Sequence, residues 1–242
     1  GTVQFNDLSG SAANAIDDVL PKAYEETWDG TSHSSSFHSF GSSTQSGSVD
    51  YRLPALSFGD MSLSLTATYD PNAGSGPSSA GGVAGNDHSG VAYTAKIDSG
   101  MGLAVGGGIE EVTTASTATG ASDLSRATGY VTYSNGPISI GYQEMFQNTE
   151  NAGDSTTQAP DVEGDGIGIA FTQDNVSFSY AEVTEEVSDV SATTSLETEM
   201  TALQATYTMG AMTLGASMYE TDNPEGTTGK YEETELSVSF AF

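Results

Sequence analysis

Acidic side chains are concentrated in one long polar segment near the start of the chain. Asp17, Asp18, Glu25, Glu26 and Asp29 lie within residues 8–45, between two short extended stretches. Carboxylates grouped in this way attract cations, whereas an ordinary run of charge forms a solvated acidic surface. We favour the first interpretation because the segment is long and follows a strand, and the segment is therefore a candidate cation-attracting site.

Three of the few basic residues fall on the polar side of alternating segments. Arg52 directly follows Tyr51 after the acidic segment, and Lys96 and Arg126 occupy polar positions further along the chain. Opposed rings of acidic and basic side chains create a transverse field across an opening and orient dipolar solutes there. The alternative is local pairing of these cations at a rim, with Asp50, Asp98 or Asp123.

A second acidic motif has the spacing of metal ligands. Asp161, Glu163 and Asp165 alternate before Gly166, like the start of a calcium-binding loop, but the twelfth position is Thr172 where such a loop has glutamate. The segment is a weak candidate for specific calcium binding. Looser bridging of acidic loops by divalent cations fits the composition better, because hard cations take carboxylate oxygens.

Composition excludes several classes of function. The 242 residues include 33 acidic and 5 basic ones, for a formal charge of −28, which argues against nucleic acid as a partner. The chain has no cysteine, so thiolate chemistry is absent. The histidines, His33, His38 and His88, lie in segments rich in serine and glycine and form no recognisable catalytic set. We therefore predict a protein that is not an enzyme and requires no cofactor.

The strongest structural signal is the alternation of apolar and polar residues. It is strict in Met61–Tyr69 and recurs in segments that end with Leu236–Phe242, and together with Gly1–Asp7 we count twelve strands. Tight turns, such as the one at Asn135-Gly136, alternate with long polar loops. Short turns on one rim and long loops on the other are typical of an up-and-down membrane barrel.

A soluble β-sandwich would also alternate, but three features favour the barrel. The strands are about 10–12 residues long, enough to cross an outer membrane when tilted, against about 5–6 in ordinary sheets. The polar stripe is serine, threonine, glycine and glutamine, which suits a wet interior, and Greek-key spacing is missing. The sequence thus predicts an all-β fold, an antiparallel up-and-down transmembrane β-barrel. Asp17, Asp18, Glu25 and Glu26 would line a constriction inside it.

The whole chain resembles the general diffusion porins of Gram-negative outer membranes. The resemblance rests on the barrel pattern, on Tyr51-Arg52 after the acidic segment, and on the terminal Phe240-Ala241-Phe242. In that family sixteen strands form a barrel that assembles as a trimer, and the loop after the fifth strand folds inward against basic residues of the wall. The resemblance implies one barrel domain over residues 1–242, with residues 8–45 as the constricting loop and Arg52 on the wall.

The resemblance also implies partners and a location. We expect a homotrimer in the outer membrane, in contact with its lipid and lipopolysaccharide, that passes small hydrophilic solutes and ions through a water-filled channel. The excess of carboxylates predicts a preference for cations. If residues 1–7 are the fifth strand, the sequence lacks about the first four, and a signal peptide would lie upstream with them.

Two other classes of protein stay open from the sequence alone. One is a complete twelve-stranded outer-membrane barrel with a specific transport or enzymatic role, which requires residues 1–7 to pair with 236–242. The other is a secreted, acidic, calcium-dependent β-domain. It requires apolar side chains such as Leu63, Leu65, Tyr93, Leu214 and Val238 to pack in a dry centre.

Overall fold

The fold is almost entirely β-sheet. A computed structural model of the chain describes residues 1–6, 10–27, 29, 37–44, 47–73, 88–114, 121–152, 161–188, 197–224 and 228–241. These residues form thirteen strands, which are β1 (Thr2–Phe5), β2 (Val49–Arg52), β3 (Leu56–Phe58), β4 (Met61–Asp70), β5 (His88–Asp98), β6 (Leu103–Thr114), β7 (Ala121–Asn135), β8 (Ile138–Ala152), β9 (Asp161–Gln173), β10 (Val176–Ser188), β11 (Thr198–Met209), β12 (Met212–Asp222) and β13 (Lys230–Phe240). Two short 3-10 turns, Asn14–Ile16 and Ser42–Thr44, complete the regular structure of these ranges. In none of them is there a helix long and apolar enough to cross a membrane.

All strands pair antiparallel with their neighbours in a single sheet. Its order is β1-β2-β4-β5-β6-β7-β8-β9-β10-β11-β12-β13, and β3 pairs with β4 beside this path. The strand β3 continues β2 after an interruption at Pro54, which has no N–H to donate to the ladder. The twelve-membered path confirms the number of strands that we counted in the sequence.

The connections alternate in length along the sheet. Strands β3 and β4, and every second pair after them, are joined by two to four residues, whereas the intervening connections have six to seventeen. The short turns use residues that accept a positive φ, such as Gly136 (59°) and Asp174 (54°). Because antiparallel neighbours reverse direction, all short turns lie on one rim and all long connections on the other, as predicted. The 43 residues between β1 and β2 enter from the rim of long connections.

The two faces of the sheet differ in chemistry. Along β9 every second residue is buried, and the exposed positions are Ile167, Ile169 and Phe171 near the short-turn rim. Tyr93, Leu214 and Val238, which would pack in the dry centre of a soluble domain, are exposed as well. The apolar stripes therefore point outward, as a lipid-facing barrel wall requires, and the sandwich alternative is wrong.

The sheet ends in two edge strands. Each of β1 and β13 has a single neighbour, and no pairing between them exists within the described residues. The pairing that would close a twelve-stranded barrel is thus not observed there, which removes the main structural support for that alternative.

Candidate functional site

The described residues between β1 and β2 run along the inner face of the sheet, the face opposite the apolar stripes. On its first pass, residues 12–25, its backbone N–H groups bond to side chains of the wall. Ala12 N donates to Asp50 Oδ2 on β2 (2.9 Å), and Val19 N donates to Gln143 Oε1 on β8 (2.9 Å). The only regular structure of residues 12–25 is one short 3-10 turn, so their buried main chain needs such partners.

Two glutamines of the wall each bond to both N–H and carbonyl groups in the main chain of this pass. Gln143 also donates from Nε2 to the carbonyl oxygens of Ile16 (3.0 Å) and Asp17 (3.1 Å). On β11, Gln204 Oε1 accepts from Tyr24 N (3.0 Å), and its Nε2 donates to Glu25 O (2.6 Å). Each carboxamide offers one acceptor and two donors, so it serves the main chain as a neighbouring strand would.

The second pass, residues 37–44, returns across the wall toward β5. Phe37 N donates to Glu185 Oε2 (3.1 Å), and Gly41 N donates to Glu110 Oε2 (3.0 Å). Arg126 Nη1 lies 3.0 Å from the same Glu110 oxygen and also donates to the hydroxyls of Ser42 (3.2 Å) and Ser43 (3.0 Å). Charged wall residues therefore anchor this pass.

Apolar contacts hold the two passes together. Leu20 of the first pass and Phe37 of the second are buried with Met145, Val183 and Met200 of the wall, along with Ala181. A smaller cluster joins Ala13 and Phe40 to Ala92, with Ile16 packed against it. The polar stripe that we interpreted as a wet lining is thus interrupted by dry patches under Leu20, Phe37 and Phe40.

The predicted constriction carboxylates have different surroundings. Asp17, Glu25 and Glu26 are partly exposed, and Glu26 pairs with Lys22 (2.9 Å). The side chain of Asp18 is 1% exposed and lies between Lys22 (3.4 Å) and His38 Nε2 (3.6 Å). Burial favours a raised pKa for Asp18, but His38 and Lys22 outweigh it and hold the pKa below its usual value. Asp18 therefore fastens the segment, and the expectation that it faces an opening is wrong.

Asp17 is the carboxylate most sensitive to pH. Burial, followed by the charge of Glu26, raises the pKa of Asp17 to about 7, although Asp18 N donates to its Oδ1 (2.8 Å). A raised carboxyl pKa stabilises the folded state at low pH, and this stabilisation is lost as the pH rises from 3.8 through about 7. We expect the inner face to gain one negative charge over the upper part of this range.

This expectation is tested with Asp17→Asn, which keeps the size of the side chain. The ratio of cation to anion permeability should rise between pH 6 and 8 in the wild type and stay flatter in the variant, measured by reversal potentials in about 0.1 M salt. An identical rise in both proteins would assign the titration to another group.

The predicted basic residues all lie on the inner face. Arg52 (45% exposed) pairs with Asp50 at 3.2 Å, and Lys96 (49% exposed) stands 3.9 Å from Asp98. The local pairs that we considered as an alternative are thus present, although the cations still face inward. Arg126 is 10% exposed and pairs with Glu110, not with Asp123. Its placement as an open wall charge is wrong, because the second pass covers it.

Sequence reasoning missed two inward carboxylates on the last strand. Glu233 and Glu235 occupy the face of β13 opposite Leu236 and Val238, and Tyr24 Oη donates to Glu235 Oε1 (3.2 Å). The alternation of the final strand contained the signal, since both residues fall on its polar stripe. Together with Glu25 they add negative charge to the inner wall beside the inserted segment.

Comparisons with known proteins identify the fold but no family. No protein-family model matches the sequence, and no curated protein matches it either. Among solved structures, the chain is similar to a porin refined at 1.8 Å resolution, with a TM-score of 0.58 and 16% sequence identity over 81% of this chain. The chain has a porin fold. The match spans 61% of that porin, so this chain covers less than two thirds of its length.

The candidate calcium ligands lie on the outside of this porin fold. Asp161, Glu163 and Asp165 alternate along the exposed face of β9, so residues 161–172 form a strand and the expected binding loop is not present. Within the described ranges, no three acidic or histidine side chains are grouped so as to hold a metal ion. Calcium binding by the acidic rim stays a prediction.

His33 lies outside the described residues, His88 begins β5, and His38 is the histidine beside Asp18.

Proposed function

We propose that the chain forms the wall of an outer-membrane porin, a water-filled channel for passive diffusion of small hydrophilic solutes and ions. One observation carries the proposal, which is the long inserted segment fastened along the polar inner face of a wall whose outer face is apolar. A segment held inside a barrel in this way narrows the opening without closing a packed core. The proposal includes no chemical step and no cofactor.

The charges of the inner face favour cations. Glu25, Glu26, Glu233 and Glu235 are at least partly exposed there, whereas the exposed cations Arg52 and Lys96 each have a carboxylate close by. An opening with a net negative lining concentrates cations and repels anions. We propose a cation-preferring channel on this basis.

The edge strands support closure by further strands. Unpaired backbone groups are costly in lipid, and among the described residues both β1 and β13 have one unpaired side. We propose that additional strands, near four if the complete wall has sixteen, join these edges, and that the barrel assembles as a homotrimer in contact with lipid and lipopolysaccharide. The mass of the native particle in detergent is the polypeptide mass multiplied by the number of copies. Together with the mass of the denatured polypeptide, it tests both the length of the polypeptide and the number of copies.

Planar-bilayer recordings test the proposed channel. Under a salt gradient the reversal potential should show cation preference, and Arg52→Ala should increase that preference by about twofold, the effect of one unit charge about 8 Å from the ion path in water. Lys230→Ala removes the same charge from the outer face, where Lys230 pairs with Glu220, and should leave the ratio unchanged.

Two results would contradict the proposal. Anion preference in the wild type would refute the selectivity, and the absence of any conductance from correctly inserted protein would refute the channel. Equal effects of the Arg52 and Lys230 replacements would show that Arg52 does not face the ion path.

A further inference from the structure

The end of the first pass meets the wall at β11–β13 through an aromatic side chain. The ring of Tyr24 lies over Gly215, where an added Cβ would stand 2.9 Å from the ring, so that glycine leaves room for it. The hydroxyl of Tyr24 donates to Glu235 Oε1 (3.2 Å), and Gln204 holds the backbone on either side. The next residue, Glu25, is thereby brought to the same wall.

Two carboxylates approach each other at this point. Burial, followed by the negative charge of Glu235, raises the pKa of Glu25. Neither carboxylate forms an ion pair among the described residues, and the nearest loop cation, Lys22, is paired with Asp18 and Glu26. Like charges held close together without a counter-charge favour a cation between them.

A buried hydroxyl faces the same place. Ser217 pairs in register with Glu235 on one side and with Gln204 on the other, and it is 1% exposed. Its Oγ has no hydrogen-bond partner in the described part of the chain, although the Tyr219 hydroxyl lies beside it. A buried polar atom without a partner is destabilising, and a donor that enters the site would supply the missing hydrogen bond.

We propose that Tyr24, Glu25, Ser217 and Glu235 form a binding subsite for the primary ammonium group of a small solute. This proposal rests on the proposed channel and names a class of solute for it. A primary ammonium has three N–H donors, which match the carboxylates of Glu25 and Glu235 and the hydroxyl of Ser217. A calcium ion takes six to eight oxygens, so it would need every oxygen of these four side chains at once. Ser217 is buried, so the solute engages it after a side-chain rotation of Tyr24 or Glu25.

Binding of methylammonium to the whole protein in detergent, followed by saturation-transfer NMR, tests the subsite without any current. Glu235→Gln and Glu25→Gln should each weaken binding by about tenfold, the loss of one hydrogen bond to a charged group. Ser217→Ala should weaken it less. The matched control is Glu233→Gln, which removes the same charge from the same face of β13 two residues away and should weaken binding by no more than about twofold, the effect of one unit charge about 8 Å away in water.

Several outcomes would overturn the subsite. Equal weakening by Glu233→Gln would mean that the negative wall attracts the cation diffusely. Equal binding of tetramethylammonium would mean that no N–H donor is recognised. Displacement of methylammonium by low concentrations of calcium would assign a metal site. Glu25 lies on the inserted segment, so its variant reports on the subsite even if Glu235→Gln fails to fold. Binding that depends on Glu235 in a protein without conductance would refute the channel and leave the subsite standing. Conductance without such binding would refute the subsite and leave the channel standing.

Discussion

Replacing Arg126 by methionine is expected to loosen the second pass of the inserted segment from the wall. The change leaves Glu110, whose side chain is fully buried, without its 3.0 Å counter-ion, and removes the donors to Ser42 and Ser43. Breaking a buried ion pair on one side costs about 3–5 kcal/mol. Because this pass packs on the first through Phe37 and Leu20, we expect the whole segment to open more often.

Trypsin reports this opening, since Lys22 is the one lysine or arginine in residues 1–51. Cleavage after Lys22 should accelerate by roughly a hundredfold or more in folded Arg126→Met, because proteolysis follows the population of the open form. Adding Glu110→Gln to this variant removes the unpaired buried carboxylate and keeps an acceptor for Gly41 N. The double variant should regain part of the resistance to trypsin. Lys96→Met breaks an exposed pair worth at most about 1 kcal/mol and serves as the control. Equal cleavage of the Arg126 and Lys96 variants would show that Arg126 does not anchor the segment.

Replacing Gly166 on β9 by valine is expected to displace the inserted segment from the wall by steric overlap. A Cβ at Gly166 would stand 2.9 Å from Leu20 Cδ1 and 3.0 Å from both Phe37 Cζ and Val183 Cγ2, all within the buried cluster. Overpacking of this kind costs about 1–3 kcal/mol. We expect a lower midpoint of urea unfolding, faster cleavage after Lys22, and a larger, noisier single-channel conductance.

Gly129→Val provides a matched control on the outer face. An added Cβ there meets no atom within 4 Å, and valine suits a strand better than glycine does. We expect the Gly129 variant to be as stable as the wild type or slightly more so, with unchanged conductance. If both glycine variants behaved alike, the space over Gly166 would not be occupied by the inserted segment.

Much of the fold was predictable because the strands and turns of a barrel wall are determined by local sequence patterns. Strand alternation in stretches such as Met61–Tyr69 depends on the environment of each face, and turn residues such as Gly136 depend on their own φ, so both are visible without a tertiary structure. Pro54 separates β2 from β3 for a reason equally local, its missing N–H. The inward direction of Arg52 and Lys96 follows from the same parity argument.

The individual roles of the site residues were not predictable in this way. Asp18 and Arg126 have the same sequence signature as exposed pore charges. His38 of the second pass reaches Asp18, and Ser42 and Ser43 of that pass lie against Arg126, so the burial of both depends on how the inserted segment folds back on itself. Gln143 and Gln204 look like ordinary members of a polar stripe until the main chain of the inserted segment lies against them. Glu235 was missed although its parity was visible, because its importance depends on Tyr24 and Glu25.

The sequence by itself determined the wall: an acidic, antiparallel, up-and-down sheet with apolar residues outside and polar residues inside, because strand parity repeats every two residues. Only the tertiary structure decided which charges face an opening and which fasten the inserted segment. The path of that segment depends on contacts between residues more than a hundred positions apart, such as Val19 with Gln143 and Tyr24 with Gln204, and no local pattern encodes them.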